Sequence, residues 1–241
     1  MIPTKAREAR ARKHADIKRA AIEEFARHGF QGASTQAIAA RAGLSKPQLN
    51  YYIDSKLDLY REVLLDTMNA WGESFGFEDE ELGPESVLTS YIRKKLEFSF
   101  SDPLRTKIFT TEILAGAPVF ASFMPMFRRR TVAAAAMLQR WMDAGLMRRL
   151  DSLQLLMNIW AITQSYADYE QQVRYFMRKK ALSAADREHI IEHVTRLILA
   201  GCSLAEPPNP REPTPKSRRT APAQGADGQR THRARTHTKK L

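Results

Sequence analysis

Between Ser34 and Lys56 the chain spells two short helices, a one-glycine turn between them and the start of a third helix, an order that leaves the fold little freedom. Ser34 or Thr35 caps the first helix, Ile38, Ala39 and Ala42 recur at helical spacing, and Gly43 supplies the left-handed residue that stops it. Ser45 opens the second helix, with Gln48 three residues later in capping-box spacing and Pro47 in the first turn, where a missing N–H costs nothing. Leu49 is the one strongly apolar residue between Lys46 and Asn50, so it should face the core while Lys46, Gln48, Asn50 and Tyr51 face outward. Asp54 or Ser55 then caps a long helix with Lys56 in its first turn, where free N–H groups and a cation favour a phosphate. The pattern predicts a helix-turn-helix, the unit that presents a short helix to DNA. The plainer alternative is an alanine-rich helix pair of structural use only, with Gln48 spent on capping. Turn, caps and exposed polar residues agree too well for it.

The charge distribution supports a polyanionic partner. Of the formal net charge of +11, residues 1–19 carry seven basic against two acidic groups, and residues 206–241 carry nine against three. The 186 residues between are balanced, so the positive field lies in two terminal segments that add salt-sensitive, sequence-blind attraction to phosphates. That attraction alone would make a non-specific nucleic-acid-binding protein acting through basic termini, the competing reading; a merely solvated tail is the plainest. No run of about 18 apolar residues occurs, which argues against a membrane span. No apolar segment follows the N-terminal charges, which argues against a secretory signal. A cytoplasmic protein is expected. The single cysteine, Cys202, makes an internal disulfide impossible and reads as a buried structural thiol.

The apolar periodicity predicts an all-α chain. Residues 1–9 read as a basic flexible arm, and residues 10–54 as a three-helix DNA-binding domain whose first helix, residues 10–29, braces the other two. Phe25, Phe30, Ile38, Leu49 and Ile53 would form its small core. Residues 55–205 read as a helical ligand-binding and dimerisation domain. Its expected helices run from Ser55 to about Phe77, Glu85 to Phe100 with Lys94 and Lys95 facing solvent, and Asp102-Pro103 to Leu114. Ala115-Gly116-Ala117-Pro118 breaks the last of these. Then come Met124 to Met147, Ser152 to Met177 and Ala184 to Cys202, the last with Ile190, Val194, Leu197 and Ile198 as its buried stripe. Residues 206–241, rich in Pro, Arg, Lys and Thr, read as a disordered basic tail.

Two constellations in the second domain carry chemistry. Trp160 and Gln164 stand four residues apart on one helical face. A flat apolar wall with an indole N–H, beside an amide that both donates and accepts, suits a small planar polar ligand. A core tryptophan with an interfacial glutamine is the common alternative, just as the methionines between Met124 and Met177 more often fill gaps than line a pocket. His189-Ile190-Ile191-Glu192-His193 matches H-x-x-E-H, the spacing of a zinc hydrolase. The acidic residues left downstream to serve as third ligand, Glu206, Glu212 and Asp227, fall in or beside the tail, so His189, Glu192 and His193 read as an ordinary polar face. No metal, no cofactor and no enzymatic activity are expected.

Thr35, Ile38, Ala39, Ala42, Gly43, Ser45, Tyr51, Tyr52, Ser55 and Lys56 resemble, at matching spacing, the N-terminal pattern of the TetR family of bacterial repressors. Asn50 stands where that family often has Tyr and Ile53 where it has Phe, so the phosphate role of the first aromatic passes to Tyr51 or Tyr52. Tyr91-Ile92-Arg93, Lys95-Leu96-Glu97, Glu112, Leu114 to Pro118, Ile159-Trp160-Ala161, Thr163-Gln164 and Tyr166-Ala167-Asp168 resemble the family's pyrimidine-utilisation branch. The resemblance implies an all-helical homodimer in which the last two long helices of each subunit meet. It implies a pocket where Trp160 and Gln164 contact uracil or thymine. It also implies double-stranded operator DNA as partner, met by Ser34, Thr35, Lys46, Pro47, Gln48, Asn50, Tyr51, Tyr52 and Lys56.

Overall fold

Alanine, arginine and glutamate crowd residues 4–12, and these good helix formers start the first helix before the apolar stripe begins. In the computed structural model, which describes residues 4–74 and 80–203, α1 runs Thr4–Gly32 with a kink at Gly29, whose φ is 64°. The expected flexible arm is thus helical from Thr4 on, and residues 1–3 lie outside the described residues. α2 (Thr35–Arg41), α3 (Lys46–Asn50) and α4 (Lys56–Ser74) follow. The end of α4 expected near Phe77 lies outside the described residues, as does the whole of 206–241.

A 3-10 turn at Glu80–Leu82 leads into α5 (Gly83–Ser101), and Asp102 caps α6 (Pro103–Leu114) by accepting from the Arg105 N–H at 3.4 Å. The break after Leu114 is real: Gly116 and Ala117 both take positive φ, 89° and 57°, before a second 3-10 turn at Phe120–Ser122. α7 (Met124–Asp143) ends short of the expected Met147. There Gly145, with φ 71°, lets Leu146 N–H reach the Trp141 carbonyl at 2.9 Å and close a Schellman turn. The single helix expected over 152–177 is two, α8 (Ser152–Asp168) and α9 (Glu170–Met177), parted at Tyr169. At the break the Asp168 carboxylate is drawn inward by the Thr110 hydroxyl at 2.8 Å while Tyr169 stays exposed. α10 (Ala184–Cys202) closes the described chain, and no strand occurs among the described residues.

Two apolar cores organise these helices. The first joins Ile17, Phe25, Ile38, Leu49 and Ile53 to Leu59, Tyr60, Val63 and Leu64 of α4, and reaches Ile108 of α6 and Val119. The front half of α4 therefore belongs to the N-terminal unit, and α6 packs against α1 and α4 from the other side. The second core centres on α5, packed between α8 and α10, with Leu88, Tyr91, Ile92 and Leu96 facing Leu138, Trp141, Leu156, Ile159, Ile191 and Val194. On α10 the buried stripe is Ile190, Ile191, Val194, Ile198 and Cys202; Leu197, expected inside, is 56% exposed. It lies on the outer face, where no described element covers it.

Candidate nucleic-acid interface and ligand pocket

Each turn of the helix-turn-helix closes as its residues dictate. Ser34 caps α2 by accepting from the Ala37 N–H at 3.4 Å, and its own N–H donates to Glu24 at 3.2 Å. Gly43, with φ 67°, lets Leu44 N–H reach the Ala39 carbonyl at 2.9 Å, a Schellman turn that sets α3 across α2. Ser45 and Gln48 form the reciprocal capping box: Gln48 Oε1 accepts from the Ser45 N–H at 2.8 Å and from its hydroxyl at 3.0 Å. Leu49 is fully buried, while Lys46, Pro47, Gln48 and Asn50 are exposed. Gln48 thus spends its carbonyl on the cap and leaves its amide N–H₂ at the surface.

Past α3, Tyr51 is 70% exposed and packs edge-on against half-buried Tyr52, ring centroids 5.2 Å apart. The Arg10 guanidinium lies over the Tyr51 ring at 5.5 Å, so the helical N-terminal segment props the aromatic pair. Ser55 caps α4, accepting from the Asp58 N–H at 3.0 Å. Lys56 does not point where its sequence position suggested. Its ammonium turns inward and donates to the carbonyls of Phe30 at 2.8 Å, Ala33 at 3.0 Å and Gln31 at 3.4 Å, with the Phe30 ring beneath it at 4.7 Å. The last carbonyls of a helix have no intrahelical donor, and Lys56 supplies one at the end of α1. Lys56→Ala should accordingly cost about 2 kcal/mol, a melting midpoint about 4–8 °C lower, before any effect on DNA. An unchanged midpoint in a thermal melt would return Lys56 to the phosphate role.

A cavity of about 1000 Å³ opens between α4, α5, α6, α7 and α8. Its walls are mostly aromatic and aliphatic, and Trp160 and Gln164, expected on one helical face, both line it. The indole N–H is not free for a ligand, because it donates to the Tyr91 hydroxyl at 2.6 Å; Trp160 offers its face alone. Gln164 Nε2 donates to the Thr110 hydroxyl at 2.5 Å, which fixes the amide and leaves its oxygen as the acceptor. Burial holds the neighbouring Asp168 carboxyl above the usual carboxylate range, partly offset by the Thr110 hydroxyl.

The residue that sequence reasoning missed is Lys95. Expected in solvent beside Lys94, it is only 4% exposed, lines the cavity, and sets its ammonium 4.0 Å from the centre of the Trp71 ring. Burial alone pushes its pKa down to about 7. The signal that could have found it is its register: it falls four after Tyr91 and three after Ile92, on the buried stripe of α5.

The pocket is wired to the N-terminal unit through one buried carboxylate. Phe120 lines the cavity and stacks edge-on with Phe109 at 5.1 Å and Phe127 at 5.8 Å. Its backbone N–H, and that of Val119, donate to Glu112 Oε1 at 2.8 and 2.6 Å. The other carboxylate oxygen accepts from the Tyr60 hydroxyl of α4 at 3.1 Å. Burial, reinforced by the adjacent carboxylate, pushes the Tyr60 phenol far up, so it stays a donor. Tyr60 in turn packs on Phe25 and Phe30 of α1, at 4.9 and 5.0 Å.

His189, Glu192 and His193 sit on the exposed face of α10, and among the described residues no three His, Cys, Asp or Glu gather to hold a metal. No described helix is long and apolar enough to cross a membrane.

Two family models together span most of the chain. The one for "Bacterial regulatory proteins, tetR family" matches residues 17–63, and "YcdC-like protein, C-terminal region" matches residues 64–205. The HTH-type transcriptional regulator RutR of Escherichia coli (strain K12) is 32% identical over 186 residues, 77% of this chain and 88% of that protein. Among solved structures, a regulatory protein of the tetR family from Rhodococcus RHA1 superposes with a TM-score of 0.64 at 19% identity, covering 80% of this chain and 98% of that one. AibR, solved with isovaleryl coenzyme A and operator DNA, gives 0.62 at 16% identity, covering 77% and 97%. Those two likenesses establish the fold. The matched models and the RutR similarity go further: this chain belongs to the TetR family of ligand-responsive, DNA-binding transcriptional regulators and is not an enzyme.

Proposed function

We propose that the protein works in the cytoplasm as a homodimeric repressor whose operator affinity is set by a planar heterocycle of the pyrimidine type, uracil or thymine, held against Trp160 by Gln164. The observation that carries this reading is the placing of the Trp160 face and the pinned Gln164 amide on one wall of a cavity that reaches the N-terminal unit through Phe120, Glu112 and Tyr60. An amide oxygen accepts the N–H of an imide while the indole face covers the ring. The resemblance of the second domain to the pyrimidine-utilisation branch points the same way.

Two reading helices, one per subunit, would enter successive major grooves about 34–36 Å apart, or a multiple of that. Lys46, Gln48 and Asn50 would face base edges, with Ser34, Thr35, Pro47, Tyr51, Tyr52 and the first turn of α4 at Lys56 against the backbone. The exposed Tyr169, Tyr175 and Phe176 around α9, with Leu197 of α10, supply the apolar face a second subunit would cover. Ligand favours whichever spacing it binds more tightly, and the operator favours the other.

Operator gel shifts with and without uracil and thymine test the reading. Affinity should fall at least ten-fold with ligand, and unaltered binding at saturating ligand would sink the pyrimidine assignment. Gln48→Ala should erase most of the preference for operator over random DNA, a loss of about 1–3 kcal/mol in discrimination, while random-sequence affinity stays within two-fold. Equal losses on both DNAs would show that Gln48 acts only as a cap.

A further inference from the structure

Lys95 is a buried cation of the cavity wall that the pyrimidine reading leaves without work. It is nine-tenths and more buried, it makes no hydrogen bond or ion pair among the described residues, and its only polar-to-ring contact is the Trp71 face. Among the described residues no carboxylate faces it from a packed element. On α7 the pocket presents Arg128 and Arg129, and Arg130 crosses α4 at Gly72, where a side chain would collide with its guanidinium. On α8 it presents Gln164, whose neighbour Asp168 is held by Thr110 of α6. Glu112 of α6 is taken by Val119, Phe120 and Tyr60. Glu188 of α10 pairs with Arg93 at 2.6 Å, on the far side of α5. The cavity is thus an apolar chamber with cationic side chains along α7 and one unpaired amine set in its wall.

Burying an amine without an anion is costly, and no packing advantage over methionine explains it. We propose that the effector is anionic, a planar heterocycle bearing one ionised acidic group, carboxylate or imide, whose charge pairs with Lys95. This rests on the heterocycle assignment above and adds the charge. Arg128 and Arg129 draw the anion toward the cavity, and Lys95 pairs with it inside. Because burial leaves the empty pocket's amine only partly protonated near neutral pH, a carboxylate draws a proton from solvent as it binds. A pyrimidine-dione supplies the proton itself: with one ring N–H held by the Gln164 oxygen, the other passes its proton to the Lys95 amine and leaves an ammonium–imidate pair, with no net uptake.

Isothermal titration of the full-length protein at pH 8, in two buffers of different ionisation enthalpy, separates these cases with three probes: orotate, uracil and hexanoate. The expected result is Lys95-dependent binding of a pyrimidine, weakened at least ten-fold by Lys95→Met and by Lys95→Gln, each checked for a native melt. Orotate bound with net proton uptake assigns the charge to a carboxylate; uracil bound without uptake but with the red-shifted ultraviolet absorbance of its anion assigns it to the imide, and uracil bound with the absorbance of its neutral form overturns the anionic assignment. A pyrimidine bound equally well, within two-fold, by wild type and both variants overturns the anionic assignment and leaves the pyrimidine reading standing. Hexanoate alone, bound in a Lys95-dependent way, keeps the anion site and overturns the heterocycle. If none of the three binds, both readings fall.

Discussion

Glu112→Ala should lower the melting midpoint by about 10 °C, a loss of about 3–5 kcal/mol, the largest single-residue effect expected outside the apolar cores. The carboxylate is 2% exposed and satisfies three donors at once: the N–H groups of Val119 and Phe120 and the hydroxyl of Tyr60. Alanine leaves two backbone N–H groups buried with nothing to accept them, at about 1–3 kcal/mol each, and strands the phenol. Glu112→Gln is the control, since an amide oxygen still accepts from both N–H groups and its N–H₂ can donate to the Tyr60 oxygen. It should cost no more than about 1 kcal/mol. If alanine and glutamine melt alike and within 3 °C of wild type, the carboxylate does not strut the two halves together.

Lys95→Met should do the reverse and raise the midpoint, by about 5 °C at pH 6, or about 2 kcal/mol. The folded amine titrates near 7, whereas an exposed lysine holds its proton to about 10.5. Between those values the unfolded chain binds more protons than the folded one, so this position's share of stability rises with pH across that window. Below pH 7 the folded chain carries the whole cost of a buried ammonium. The advantage of methionine is therefore greatest at pH 6 and shrinks toward pH 10, which paired melts at the two pH values measure. A gain that does not change with pH would mean that packing, and not the charge, separates the two side chains.

The same lysine shows where the sequence was legible and where it was not. Elements that close on themselves could be read directly, because their chemistry is local: the Ser34 and Ser45 caps, the Gly43 turn, Leu49 as the inward residue of α3 and the break after Leu114 all rest on residues within one or two turns. Periodicity puts Trp160 and Gln164 on one helical face, and that face lines the cavity. Lys95 escapes a local reading because lysine ordinarily seeks water, while its register on α5 carries it inward. The break at Tyr169 carries no glycine or proline; it is fixed by Thr110 gripping Asp168 from 58 residues away. Lys56 turned inward for the same kind of reason, since the carbonyls it serves end a helix more than twenty residues earlier. Such partners are set by tertiary packing, and no local pattern announces them.

The three carbonyls gripped by Lys56 give α4 a mechanical role. They rivet its first turn to the end of α1, while Lys18 ties α1 to Asp66, nearly three turns beyond Lys56, at 2.7 Å. Pinned at both places, α4 and the short helices beside it must tilt as one rigid lever. α4 is about 28 Å long at about 1.5 Å per residue, so a swing of only about 5° about its far end carries its start through about 2.5 Å. A displacement of that size is half the pitch of a helical turn. Packing changes too slight to unfold anything in the pocket are thus large enough, at the other end, to decide whether a side chain meets a base edge or misses it.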